Sequence, residues 1–424
     1  MTEQLAITGG SPAVRRPLQA FNSITTAERD AALRFIDRGE PLSGFHGSAR
    51  PTFFGGAEVL AFEKEWCARF GAAHAVSMNS ATSGLIAALG AVGVGPGDEV
   101  IVPPYSMSAS AIAPVFYGGV PVFADIDPDY FCIDYDSVVK AITPHTKAIM
   151  AVNLFGHPAE LKKLRALADS RGLYLIEDSA QATLATEHGK PVGTIGHIGV
   201  YSLNIHKHIQ TGEGGVCVTA DAELAKRLQL IRNHGENVVD WMGMTDLTNL
   251  VGFNFRMTEL GAAMARVQLS RIEELVGRVE KIATRLTEGL SNLKGVTTPA
   301  VRSGCTHNYY MWSVKIDAAA LGASREAFSA ALAAEGFPNA TGYVKPIYWL
   351  PMFQKRIAIG NQGFPFTLRD RHYPAGLCPV VERMHNTELL QYQPVSWSVD
   401  DEQLEMMIEA FRKVHAQAAN LPKN

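Results

Sequence analysis

The sequence predicts an α/β fold, a mostly parallel seven-stranded sheet covered by helices on both faces, followed by a smaller α+β domain. Three observations predict it. Apolar runs of strand length alternate with amphipathic helical stretches from residue 58 to residue 233. Several of the runs are continuously apolar, as in Ala148-Ile149-Met150-Ala151-Val152, which marks a strand buried on both faces. A long helical pattern over 258–293 then carries the chain out of this layer into a shorter, mixed region.

Residues 1–50 mix turn formers with one amphipathic stretch over 26–38 and read as an arm. A large domain over 51–268 follows. It opens with a helix over 58–70, a strand over 75–78 and a helix over 82–92. A strand over 99–102, a helix over 108–117 and a strand over 120–124 come next. A strand over 148–154, a helix over 159–171 and a strand over 173–177 lead to strands over 200–203 and 216–219, and a helix over 222–233 closes the series. The small domain, 269–424, has a strand over 309–316, a helix over 324–335 and a terminal helix over 400–418. The stretch 342–372 is rich in Pro, Gly and aromatics and reads as long loops. There is no internal repeat and no low-complexity tract.

Composition narrows the function classes. A chain of 424 residues with 47% apolar and 19% charged residues buries a large core, as globular enzymes do. Net charge is −4, so no basic field favours nucleic acid or an anionic membrane. The five cysteines (Cys67, Cys132, Cys217, Cys305, Cys378) are scattered, with no Cys-x-x-Cys pair, which suits free thiols in a reducing compartment. The first ten residues have no basic start and no apolar core of signal-peptide length, and no apolar run approaches membrane-spanning length. A cytoplasmic enzyme is expected.

The chemistry concentrates in one region. Glu177-Asp178-Ser179-Ala180-Gln181 sets an acid at the end of the apolar strand Leu173-Tyr174-Leu175-Ile176. Downstream, Ser202-Leu203-Asn204-Ile205-His206-Lys207 runs into the turn Thr211-Gly212-Glu213-Gly214-Gly215. An enzyme that uses pyridoxal 5'-phosphate (PLP) needs both parts. A carboxylate beside the pyridine nitrogen keeps it protonated, so the ring acts as an electron sink. A lysine amine bonds covalently to the cofactor aldehyde. Glycines let backbone pack close to a bulky group. In isolation Lys207 would be a solvated surface charge, and Asp178 a helix N-cap. Asn79-Ser80-Ala81-Thr82-Ser83-Gly84, between a strand and a helix, fits an anion at a helix N-terminus, as does any N-cap. His206 and His208 flank the lysine. Their simpler reading is solvent or loop hydrogen bonding; the other is substrate binding or tuning of the lysine.

Spacing and neighbours in these segments resemble the DegT/DnrJ/EryC1/StrS family of sugar aminotransferases, which are fold-type I PLP enzymes. The resemblance is strongest over 54–268, including Arg232-Asn233-His234-Gly235. It returns at Cys378-Pro379-Val380-Val381-Glu382-Arg383. Leu5-Ala6-Ile7-Thr8-Gly9-Gly10 is similar to starts in the branch acting on cyclitols. It implies that Lys207 holds PLP covalently and that Asp178 bonds the pyridine nitrogen. It further implies that Ala81, Thr82 and Ser202 contact the phosphate and that Gln181 lies next to the ring. Asn254, in Gly252-Phe253-Asn254-Phe255-Arg256-Met257, matches the Asn with which relatives reach the neighbouring subunit's phosphate; the same stretch also reads as a helix start capped by Thr258. Met107 stands where relatives place an aromatic residue on the pyridine ring. Methionine also lies against a π face, and Tyr105 is the other ring at hand.

The implied reaction is ping-pong transamination in a homodimer with shared sites. The amino donor is glutamate or glutamine, and the acceptor is a nucleotide-linked keto-sugar or a keto-cyclitol. Released Lys207 would then move the proton. A dehydratase on the same scaffold is the alternative, but relatives of that kind carry histidine in place of the lysine. A PLP-binding regulator would bring an added helix-turn-helix and a basic patch, and neither is visible in the sequence.

Overall fold

The computed structural model describes residues 3–421. Its central sheet grows from the apolar runs. These are β1 (His74–Met78), β2 (Glu99–Val102), β3 (Val120–Phe123), β4 (Thr146–Val152), β5 (Tyr174–Asp178), β6 (Ile198–Ser202) and β7 (Gly215–Thr219). They lie in the order β1-β7-β6-β5-β4-β2-β3. Pairs from β3 through β2, β4 and β5 to β6 are parallel, while β7 runs antiparallel between β6 and β1. β2, β3, β6 and β7 are buried along their whole length, which is why their sequences do not alternate.

Helices cover both faces. On one side Ala81–Ala91 is buried from Ser83 onward, and Ser80 caps it by accepting from Ser83 N–H. On the other, Ala57–Phe70 brings Trp66 against Phe70 and Tyr201, with ring centroids 4.7 and 5.1 Å apart. Glu259–Ser270 completes that second face with buried Ala262, Ala265 and Leu269.

Three local expectations change for physical reasons. The helix expected over 108–117 is a short α-helix, Ala109–Ile112, followed by a 3-10 turn, Ala113–Tyr117, because Pro114 removes a backbone donor. The long pattern over 258–293 is two helices, Glu259–Ser270 and Ile272–Gly289. The break falls at Arg271, whose guanidinium donates to Glu28 (2.8 Å) and to the Ser23 carbonyl (3.2 Å). The strand expected from 309 starts later, at Trp312, because Tyr309 has a left-handed φ of 50°.

After the helix Ile272–Gly289, a four-stranded antiparallel sheet forms from β8 (Val296–Thr297), β9 (Trp312–Ile316), β10 (Ala340–Thr341) and β11 (Leu389–Tyr392), in the order β8-β9-β11-β10. Helices Arg325–Ala334 and Asp401–Ala416 pack on it through Phe328 and Phe411, whose centroids are 5.3 Å apart. Burying each such ring contributes about 1.5–3 kcal/mol. Leu5, Ala13 and Val14 of the N-terminal segment sit in this same second core. Gln19–Ala20 pairs with Trp397–Ser398. Among the described residues, no helix is long and apolar enough to cross a membrane.

Candidate active site

The register of the central sheet brings the chemistry to one edge. Gly215 opens β7 opposite Ser202, the last residue of β6, and Met78, the last of β1. Asp178 ends β5 beside Val152 and Val200. The carboxyl ends of the parallel strands thus face one crevice, the usual place for a ligand in an open α/β sheet.

Asp178 is 5% exposed. Its Oδ2 accepts from Ser110 Oγ at 2.7 Å and its Oδ1 from the Ala180 N–H at 3.1 Å. Burial raises its pKa; these hydrogen bonds and the charge of Lys207 pull it back. The residues after Asp178 form turns rather than a helix, so its carboxylate caps no helix. Its neighbour Glu177 is fully buried and accepts from the backbone N–H groups of Gly193, Ile195 and Gly196, which fixes the loop leading into β6.

Lys207 is half-buried in the turn after β6, where its N–H donates to the Asn204 carbonyl at 2.9 Å. Its Nζ lies 4.4 Å from the centroid of the Tyr310 ring. Burial lowers its pKa to about 8, and the charge of Asp178 opposes that shift. An amine poised there holds or gives up a proton near neutral pH.

Ser80, Ala81 and Thr82 begin the helix on β1. A Cβ on Gly215 would stand 2.6 Å from the Ser80 carbonyl carbon and 2.7 Å from Ala81 N, so only glycine lets this helix start seat on β7. Ser83 Oγ donates to Asn79 Oδ1 at 2.6 Å, and Thr82 is exposed at the open end. Ser202 is buried, with its Oγ accepting from Asn204 N–H at 3.2 Å. Gln181 is buried and engaged at both ends: Oε1 accepts from Phe155 N–H (2.7 Å), and Nε2 donates to the Tyr343 hydroxyl (3.0 Å). Met107 is 61% exposed, on the turn that carries Ser110. Tyr105 is fully buried, edge-on to Phe155 and Tyr343, with its hydroxyl 3.2 Å from His385 Nδ1. Asn254 is exposed; its Oδ1 accepts from Arg256 Nε at 2.7 Å, and its carbonyl accepts from Asn79 Nδ2 at 3.4 Å. His206 is exposed, whereas His208 is buried and bonded to Asn308.

Residues 48–389 match the model of the DegT/DnrJ/EryC1/StrS aminotransferase family. The chain belongs to this family. An L-glutamine:2-deoxy-scyllo-inosose aminotransferase of Streptomyces kanamyceticus is 33% identical, over 97% of this chain and 97% of its own. A dTDP-3-amino-3,4,6-trideoxy-alpha-D-glucose transaminase of Streptomyces venezuelae is 34% identical, over 79% of this chain and 83% of its own. The crystal structure of S. venezuelae DesV in complex with a ketimine intermediate superimposes with a TM-score of 0.77 at 30% identity, covering 92% of this chain and 94% of that one. This protein is accordingly a PLP-dependent aminotransferase of the α/β class.

Four residues around these candidates escape the sequence reading. Ser110 bonds Asp178, Tyr310 underlies Lys207, Tyr343 meets Gln181, and Asn308 joins His208. Each acts through a partner 68 to 162 positions away or across the crevice, and no local pattern announces it.

Proposed function

We propose that Lys207 holds PLP covalently and that Asp178 bonds its pyridine nitrogen. The observation that carries this reading is Asp178 itself. It is a buried carboxylate with a hydroxyl and an N–H donor, and Lys207 as the cation acting on it. Burial still holds its pKa up, a pyridinium would add a further positive charge against that, and the crevice therefore fits the group. Bound PLP supplies the electron sink for carbanion chemistry. The first turn at Ala81 and Thr82, with Ser202 opposite, suits its phosphate. Gln181 and Met107 would flank the ring. Asn254 would reach the phosphate of a second copy of this chain, making a homodimer with two shared sites.

In this reading Lys207 carries the proton between the substrate's Cα and the cofactor. Burial prepares it by lowering its pKa to about 8. The donor is glutamate or glutamine, and the acceptor is a ketone on a sugar or cyclitol ring. The near-full-length match to a cyclitol aminotransferase supports the second of these acceptors. Free thiols at all five cysteines suit the cytoplasm.

The deciding experiment incubates PLP-loaded protein with glutamate or glutamine and a panel of keto-sugars and keto-inositols, reading products by mass. Ketone converted to amine with matching loss of donor supports transfer; water loss without donor use would overturn it. Borohydride reduction and peptide mapping should place the cofactor on Lys207. Mixing inactive Lys207→Ala and Asn254→Asp chains should restore activity at one intact composite site. Proven subunit exchange without recovery would sink the shared-site arrangement.

A further inference from the structure

We propose that His208 is a positioning residue, one that holds the amine of Lys207 against the ring of Tyr310. This rests on Lys207 being the cofactor lysine. His208 and Asn308 are a hundred positions apart in sequence, yet His208 Nε2 lies 3.0 Å from the Asn308 carbonyl oxygen. His208 is 3% exposed. Burial keeps its imidazole neutral, pulling its pKa down to about 4. A neutral imidazole has one N–H, and the carbonyl partner assigns it to Nε2 as donor.

Asn308 is itself fixed. Its Nδ2 donates to the Thr183 carbonyl (2.8 Å), and its N–H to the Gly156 carbonyl (3.2 Å). Its Oδ1 accepts from the N–H of Tyr310 (3.1 Å), so one amide ties the His208 anchor to the tyrosine two residues on. A Cβ on Gly156 would collide with Asn308 Oδ1, so the amide sits directly on backbone. One residue before the anchor, Lys207 Nζ meets the Tyr310 ring at 4.4 Å.

The geometry has a chemical consequence. A π face favours ammonium over amine. Burial favours the amine, and Asp178 favours the ammonium. The other groups around this pair are Arg278, whose charge reaches His208, His307, which burial holds neutral, and Tyr343 beside Tyr310. Burial also raises the Tyr310 hydroxyl pKa, so the ring stays an uncharged phenol. His208 touches no reacting atom in this arrangement; it sets where the lysine stands between ring and carboxylate.

The test is competitive acetylation of Lys207 in the full-length protein freed of cofactor, read by peptide mass from neutral to alkaline pH. Wild-type Lys207 should titrate near pH 8. Tyr310→Leu, which keeps bulk and removes the π face, should lower the midpoint by about one unit, and Tyr310→Phe should leave it in place. His208→Leu should lower it in the same direction. His208→Gln, with an N–H at similar reach, should restore it. An unmoved midpoint in Tyr310→Leu overturns the ring contact. A moved Tyr310→Leu with an unmoved His208→Leu overturns the anchor, and so does a His208→Gln as disturbed as His208→Leu. If His208→Leu does not fold, His208→Asn, a polar side chain too short to reach, takes its place with the same expected shift. Borohydride mapping of the loaded wild type runs beside it. Label on another lysine would defeat the cofactor assignment while leaving the acetylation midpoints as they are.

Discussion

The wall of the crevice at the strand ends and the wall facing it are built by different means. At the strand ends, position comes from backbone register. Asp178, Ser202 and the helix start at Ala81 are fixed by paired strands, by Glu177 gripping three N–H groups, and by a glycine at 215. The facing wall is made of loop residues, Asn308, Tyr310 and Tyr343, held by side-chain-to-backbone bonds and ring edges. Phe155 and Tyr343, for instance, are 5.1 Å apart at 84°. The wall set by strand register carries the buried acids, and the wall set by side-chain bonds carries rings. A carboxylate in low dielectric tolerates no misplacement of its donors, whereas an aromatic face works over a range of approach.

The largest test of this contrast is Asp178→Ala. It should lower kcat/KM by roughly 10²–10³-fold, the scale for losing a preorganised charge, and weaken PLP binding. Near-normal turnover in steady-state assays would show that another group supplies the charge.

Acid should separate the walls. His157 and His208 anchor the loop side, to the Arg302 N–H and the Asn308 carbonyl, and burial lowers both pKa values to about 4. A histidine whose folded pKa is depressed leaves the unfolded chain binding more protons between about pH 6.5 and 4. Stability from these anchors is therefore present above about pH 6.5 and lost as pH falls, by up to about 3 kcal/mol each. Asp178 and Glu177 are shifted upward, so falling pH relieves their burial penalty instead. Hydrogen exchange at about pH 5, corrected for intrinsic rates, should thus open peptides over 302–310 before those over 174–178. The reverse order would break the comparison.

Ser110→Ala removes the hydroxyl donor to Asp178 and should cost about 1.5–3 kcal/mol, read as a tenfold or greater loss in PLP affinity by spectral titration. The smallest effect is expected from Tyr343→Phe, which deletes only the bond from Gln181 Nε2. A loss near 1 kcal/mol should appear as an approximately fivefold change in KM, with PLP affinity unmoved. An effect as large as that of Ser110→Ala would mean that the loop wall also needs strict placement.

What was legible in the sequence follows the same division. The seven strands and the places of Asp178 and Lys207 can be read because burial leaves mostly apolar runs, and because the acid ends one run and the lysine follows another in a turn. The strands β8 and β10, two residues each, are too short for any period to show. The break at Arg271 depends on Glu28, 243 positions away, and the late start of β9 on one left-handed residue. Ser110 and Tyr310 meet Asp178 and Lys207 only by folding. His208 was visible as a residue next to the lysine, but its partner was not.

The burial of Leu5, Ala13 and Val14 in the second core bears on the order of folding. Glu335 accepts from the N–H groups of Ala6 and Ala13, 329 and 322 positions away, and pairs with Lys413. This segment therefore has no native partner until residues 335 and 413 have been made. Domains whose contacts are local consolidate early in synthesis, but this seam waits for distant residues. Until it closes, an apolar segment and the unfilled core awaiting it are both open to chaperones and proteases, and closing waits for the helix Asp401–Ala416.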